Sequence, residues 1–182
     1  MSKTALIVID IQNDYFPGGD WPLTGVEPAA KNAARLIGKA REAGDLVVHI
    51  RHEFPTDDAP FFRPGTEGAA IHDSVRPAEG EHVVLKHRIN SYRDTDLKAH
   101  LDEHGVDRVV ICGNMSHMCV DAATRASADF GYDVTVIHDA CASRPLEFGG
   151  MTVPAEQAHA AFMSALGFAY ARMMSTDDYV AA

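Results

Sequence analysis

Short runs of apolar and β-branched residues recur along the chain, separated by stretches with helical spacing. Residues 5–9 (Ala-Leu-Ile-Val-Ile), 46–50, 82–86, 107–112, 134–138 and 171–174 each read as a strand. Residues 27–43 have helical spacing through Ala30, Ala33, Ala34, Ile37 and Ala40, with Gly44 as a stop. Helices are also predicted over 94–104, 117–130 and 154–166; Gly105 closes the first and Gly131 the second. Two stretches show no period. Residues 14–28 are rich in Gly, Pro and aromatics, and 54–78, which carry Phe61 and Phe62, are too long for a plain connector. Nearly all-apolar strands alternating with helices indicate an α/β fold with a mostly parallel sheet covered on both faces. Right-handed crossovers make a doubly wound sheet the simplest outcome.

The fourth strand and the helix after it, residues 108–129, hold the most suggestive chemistry. Gly113 breaks the strand, and Ser116 is the expected N-cap. Cys119 then falls in the first turn, where unpaired N–H groups and the helix dipole favour a thiolate. The same position also suits a small buried hydrophobe on the inner helix face. Asp10 and Lys86 stand at the C-terminal ends of two other predicted strands. Singly, they read as a turn cap and a solvated strand end. A doubly wound sheet binds its ligands beyond those strand ends, where the strand order reverses. Asp10, Lys86 and Cys119 would therefore converge. Together they supply a nucleophile, a proton carrier and a cation, the groups acyl transfer through a thiol requires. Lys86 is expected to lower the thiol pKa, and the Gly113–Cys119 turn to direct N–H groups at an oxyanion.

Composition narrows the partners. The net charge of −10 argues against a nucleic-acid or anionic-membrane partner. No run approaches the ~18 apolar residues of a membrane span. The three cysteines, Cys112, Cys119 and Cys141, have no metal-like spacing, so a reduced, cytoplasmic protein without disulfides is expected. At 182 residues, one domain over 1–182 accounts for the whole chain.

Several motifs, in this order and spacing, resemble the isochorismatase-like cysteine hydrolases, which include nicotinamidases and N-carbamoyl amide hydrolases. They are Val-Ile-Asp10-Ile-Gln12-Asn-Asp14-Tyr-Phe, then Val-Leu-Lys86 with Tyr92 and Thr95-Asp96-Leu97, then Gly113-Asn-Met-Ser-His-Met-Cys119-Val. Asp139-Ala-Cys-Ala-Ser and His159 extend the likeness, which runs from Thr4 to about Val180. The resemblance implies a Rossmann-like three-layer α/β/α sandwich and a catalytic triad of Asp10, Lys86 and Cys119. It also implies a cis peptide between Asn114 and Met115, with the N–H groups of Met115 and Cys119 forming an oxyanion hole. A small-molecule amide or carbamoyl substrate, a thioester intermediate and no cofactor follow by the same resemblance. Gln12, Tyr15, Phe16, Trp21, Tyr92 and His117 match positions near the substrate, and a homo-oligomer, dimer or tetramer, is implied.

The sequence departs from the nicotinamidases after the second strand. Their metal site uses an aspartate and several histidines there. Here the region reads His49-Ile-Arg51-His52-Glu53, with His72 later, and has no Asp-x-His pair. No metal is expected. His82, His87, His100, His104 and His138 read as surface or strand-end residues. Two alternatives stay open: a vinyl-ether hydrolase of the isochorismatase type, and a non-catalytic binding relative with a silent or redox-sensing thiol.

Overall fold

A computed structural model describes residues 3–182. In chain order its strands are β1 (Thr4–Ile9), β2 (Leu46–His52), β3 (His82–Lys86), β4 (Arg108–Asn114), β5 (Asp133–Ala142), β6 (Leu146–Phe148), β7 (Met151–Val153) and β8 (Arg172–Met174). The helices are α1 (Val26–Ala43), α2 (Leu97–Glu103), α3 (Asp121–Asp129), α4 (Ala155–Ala169) and α5 (Thr176–Ala181). The main sheet runs β3-β2-β1-β4-β5-β8 with every neighbouring pair parallel. Strand order reverses between β1 and β4, the switch point of a doubly wound sheet.

The two-residue alternation along β1 builds the layers. Leu6 and Val8 face a cluster with α1 residues Ala33, Leu36 and Ile37. Ala5, Ile7 and Ile9 face the other cluster, with Leu97 and Leu101 of α2, Ala123 of α3 and Leu166 of α4. Alternate residues of one apolar strand thus bury against opposite helical layers, giving the three-layer α/β/α architecture. No helix among the described residues is long and apolar enough to cross a membrane.

Two features pin the switch point. Gly113 has φ 118°, and a Cβ there would run into the carbonyl oxygen of Ile9, so only glycine lets β4 lie this close to β1. The β4–β5 register shifts between Ile111 and Gly113, a bulge beside the strand ends.

Several expected elements differ. The helix expected over 117–130 is a π-helical turn, Ser116–Val120, followed by α3. Ser116 is no N-cap: its hydroxyl donates to the carbonyl of Ala142 (3.1 Å) and meets His159 Nδ1 at 2.7 Å. The helix expected over 94–104 shortens to α2. The antiparallel β6–β7 hairpin and α5 lie where no element was expected.

Candidate active site

Asp10 follows β1 with φ 48°, a conformation disfavoured for a residue with a Cβ; its N–H donates to Ile50 O at 3.0 Å. Lys86 is the last residue of β3, and Cys119 lies in the π-helical turn after β4. The structure brings the three together. Lys86 Nζ is 2.9 Å from Asp10 Oδ2, 3.2 Å from Cys119 Sγ and 2.8 Å from His52 Nδ1. Asp10 and Lys86 are fully buried, and Cys119 and His52 nearly so. An ammonium has three protons, and here it meets three acceptors. Besides Lys86, the carboxylate of Asp10 meets only the Cys119 thiol among the described residues, which leaves lone pairs open to a proton.

The electrostatics follow from one ammonium serving two potential anions. Burial alone would discharge Lys86, but Asp10 and then Cys119 hold its pKa above that of a free lysine. Lys86 draws the thiol pKa down as expected, but it does not set the net direction. Burial and the neighbouring Asp10 push Cys119 up, and the opposing pull of Lys86 does not compensate. The resting sulfur is a thiol with a carboxylate and a cation beside it. Burial, with Lys86, pulls His52 down to about 4, so it is neutral at physiological pH.

A pocket of about 90 Å³ opens on this cluster. Its walls are Tyr15, Phe54, Phe61 and Phe62 with Ile89, Met115 and Met118, and its lining includes His52 and Cys119. A wider outer recess of about 500 Å³ shares Phe61, Met115 and Met118 and adds Trp21, His117 and Arg144. The Arg144 guanidinium lies 4.0 Å over the Trp21 ring, which stacks on Phe61 at 4.8 Å. A cleft of about 390 Å³ at the opposite, N-terminal ends of the strands is larger than the inner pocket, and Thr4, Arg108 and Asp133 line it. It lies away from Asp10, Lys86 and Cys119, none of which lines it.

The residues expected near the substrate divide into two groups. Tyr15 lines the inner pocket, and Trp21 and His117 line the outer recess, with His117 Nδ1 2.8 Å from Ser143 Oγ. Gln12, Phe16 and Tyr92 have other partners. Gln12 is fully buried and donates both amide protons to backbone carbonyls, those of His52 (2.8 Å) and Ala69 (2.7 Å). Its oxygen accepts from His52 N–H at 2.8 Å, so it braces the wall and has no donor left for a ligand. Phe16 stacks on His72 at 3.6 Å between ring centroids and lines neither the inner pocket nor the outer recess. Tyr92 packs in the α2–α3 layer, its hydroxyl 2.7 Å from Ser127 Oγ. The nearby Asp14 also serves the walls, accepting from Phe62 N–H at 2.6 Å.

Phe61 and Phe62 are packed walls, and Phe62 is only 1% exposed. His52 was the residue missed at the site. It lies just past the strand expected over 46–50 and is weighed there only for a metal; its meeting with Lys86 depends on the pairing of β2 with β3, where His52 lies opposite Lys86. The histidines weighed for a metal have separate partners: His49 meets Glu81 at 2.9 Å, and His72 stacks on Phe16. Asp10, His52 and Cys119 would form a ligand set by spacing. The Lys86 ammonium already lies among them as their shared cation. A second such group, His100, Glu103 and His104, lies at the C-terminal end of α2.

The chain is similar to known proteins. A family model described as the isochorismatase domain matches residues 4–178. The isochorismatase-family protein YddQ of Bacillus subtilis is 49% identical, over 97% of this chain and 98% of its own. The maleamate amidohydrolase of Pseudomonas putida is 32% identical, over 78% of this chain and 73% of its own. A solved structure from Oleispira antarctica, assigned to the isochorismatase hydrolases, superposes with a TM-score of 0.96. It is 58% identical and covers 100% of this chain and 97% of that one.

Proposed function

Because the chain belongs to the isochorismatase family of hydrolases, we propose that it is a cysteine-dependent hydrolase of small amide or carbamoyl C–N bonds. The observation that carries this reading is the Lys86 ammonium, bonded at once to Asp10 and Cys119 at an aromatic pocket. Two anions cannot share one buried ammonium cheaply, so a single proton is held between thiol and carboxylate. As Cys119 Sγ bonds to the substrate carbonyl carbon, Asp10 takes the thiol proton. The negative charge moves onto the carbonyl oxygen, where the N–H groups of Met115 and Cys119 receive it. Asp10 then gives its proton to the departing nitrogen, the C–N bond breaks, and a thioester and ammonia or an amine result. Water, deprotonated by Asp10, attacks the thioester and releases the acid and the thiol.

The relative named maleamate amidohydrolase is an amide hydrolase by its name, which favours C–N chemistry over the vinyl-ether alternative. We further infer a homo-oligomer, dimer or tetramer. Large apolar side chains stand exposed on the β6–β7 hairpin (Phe148, Met151) and on α4 (Phe168). Three unbridged thiols suit a reducing, cytoplasmic setting. The test is a panel of small amides and carbamoyl compounds read as released ammonia. Wild type should turn over at least one, and Cys119→Ala none; turnover that survives loss of the thiol would remove the mechanism.

A further inference from the structure

Among the described residues His52 Nε2 is buried with no hydrogen bond of ordinary geometry, only the backbone of Arg88 bearing on the ring, and its side chain, 3% exposed, lines the inner pocket. The residue carrying it is held from both ends. Gln12 takes its backbone N–H and carbonyl, each at 2.8 Å, and Lys86 Nζ lies 2.8 Å from Nδ1. An ammonium has donors and no acceptor, so Nδ1 must be the accepting nitrogen of this pair. A neutral imidazole that accepts at Nδ1 carries its proton at Nε2. The ring therefore carries an N–H with no close partner, in a pocket whose other walls are the aromatic rings of Tyr15, Phe54, Phe61 and Phe62 with Ile89, Met115, Met118 and Cys119. A buried donor left unmatched costs free energy that a suitable ligand recovers.

We propose that His52 Nε2–H is the substrate-orienting donor of the inner pocket, and that the substrate's acyl portion carries an uncharged hydrogen-bond acceptor to meet it. This rests on the hydrolase reading for what the substrate does, and on the pocket alone for what binds. The acceptor is a ring nitrogen, a carbonyl or an ether oxygen on a small, flat, mostly apolar group. A carboxylate is disfavoured there, because the three protons of the Lys86 ammonium are already engaged and no other cation lines the inner pocket. His52 selects the substrate by this contact, and its other nitrogen holds Lys86 toward Asp10 and Cys119. One side chain couples recognition to the triad.

Pyridine and benzene form the test pair, since both are flat and apolar, only pyridine has an acceptor, and neither can be hydrolysed. Two-bond ¹H–¹⁵N spectra of histidine-labelled protein at pH 8 should show His52 as the Nε2–H tautomer. Pyridine should shift that signal and bind about 10- to 100-fold more tightly than benzene. His52→Asn keeps an acceptor near Lys86 but withdraws the pocket donor, and should abolish the preference for pyridine. His52→Gln, whose amide reaches the Nε2 position, should restore part of it. An Nδ1–H tautomer, equal affinity for the two probes, no saturable binding of either, or a preference surviving in His52→Asn would each overturn the proposal. If neither variant folds, the wild-type tautomer and affinity ratio still decide. A protein that prefers pyridine but hydrolyses no amide would keep the donor and lose the hydrolase reading, so the two failures are distinct.

Discussion

Cys112 and Cys119 are both buried thiols on the same strand-to-helix passage, yet their surroundings differ in kind. Cys112, on β4 opposite Val8, packs into the apolar α1 layer with Leu6 and Val110. Burial pushes its pKa up, and Cys141 adds to the rise. Cys119 faces the other layer, where burial and Asp10 raise its pKa while Lys86 opposes them. Neither thiol is acidic at rest. The difference is that Cys119 has a proton acceptor, an ammonium and a pocket beside it, and Cys112 has hydrocarbon. A cysteine nucleophile in a dry site is recognised by the groups that move its proton during attack.

The sharpest way to break that comparison is to truncate each thiol. Cys119→Ala should lower kcat/KM for any amide substrate by about 10⁴-fold or more, measured as ammonia release. Asp10→Asn comes next. It removes the proton carrier, worth about 10²- to 10⁴-fold in kcat. It also leaves the Lys86 charge buried without its carboxylate partner, which should cost about 3–5 kcal/mol in urea unfolding. Unchanged stability would mean that Asp10 and Lys86 are not paired in the folded protein.

A smaller effect lies in pH, and its sign is set by His52. The folded ring takes a proton only near about 4, whereas in the unfolded chain it does so near the ordinary value, about 6.5. Between those values the unfolded state binds the extra proton, so stability falls as pH drops from about 6.5 toward 4. His52 alone should remove about 2 kcal/mol between pH 7 and pH 5. His49, His117 and His159 are also shifted down and act with the same sign, so the loss in wild type minus that in His52→Asn isolates the term. Equal pH slopes in the two proteins would show that His52 is not held neutral by the fold. The smallest effect is Cys112→Ala. Loss of one buried sulfur should cost about 1 kcal/mol of stability and leave kcat/KM within a few-fold of wild type.

The same contrast explains what the sequence disclosed. Strands such as residues 5–9 were legible because a parallel strand buried on both faces must be apolar throughout. The positions of Asp10, Lys86 and Cys119 at strand ends were legible for the same reason, since each interrupts or follows an apolar run. The roles of their neighbours were not. Gln12, Asp14 and Phe16 follow Asp10 closely, but Gln12 bonds to residues 40 and 57 positions away and Asp14 to one 48 away, and Phe16 stacks on His72. Such partners are set by tertiary packing, and local pattern does not encode them. His52 was hidden similarly, since its significance comes from lying opposite Lys86 on the next strand. The β6–β7 hairpin lacks the burial that marks a strand, because Glu147, Phe148, Met151 and Thr152 are all exposed. The π-helical turn that carries Cys119 likewise left no mark in the spacing of apolar residues.

The most direct test of the account is to catch the acyl group on sulfur. Once the amide panel has supplied a substrate, the reaction is quenched in acid during turnover, digested with trypsin and sequenced by mass spectrometry. Cys112 and Cys119 fall on the same tryptic peptide, residues 109–125, so fragment ions must assign the added mass to one or the other. The account predicts an acyl adduct on Cys119, none on Cys112, and none on the Cys119→Ala protein. Steady turnover without any adduct, undiminished in Cys119→Ala, would contradict it.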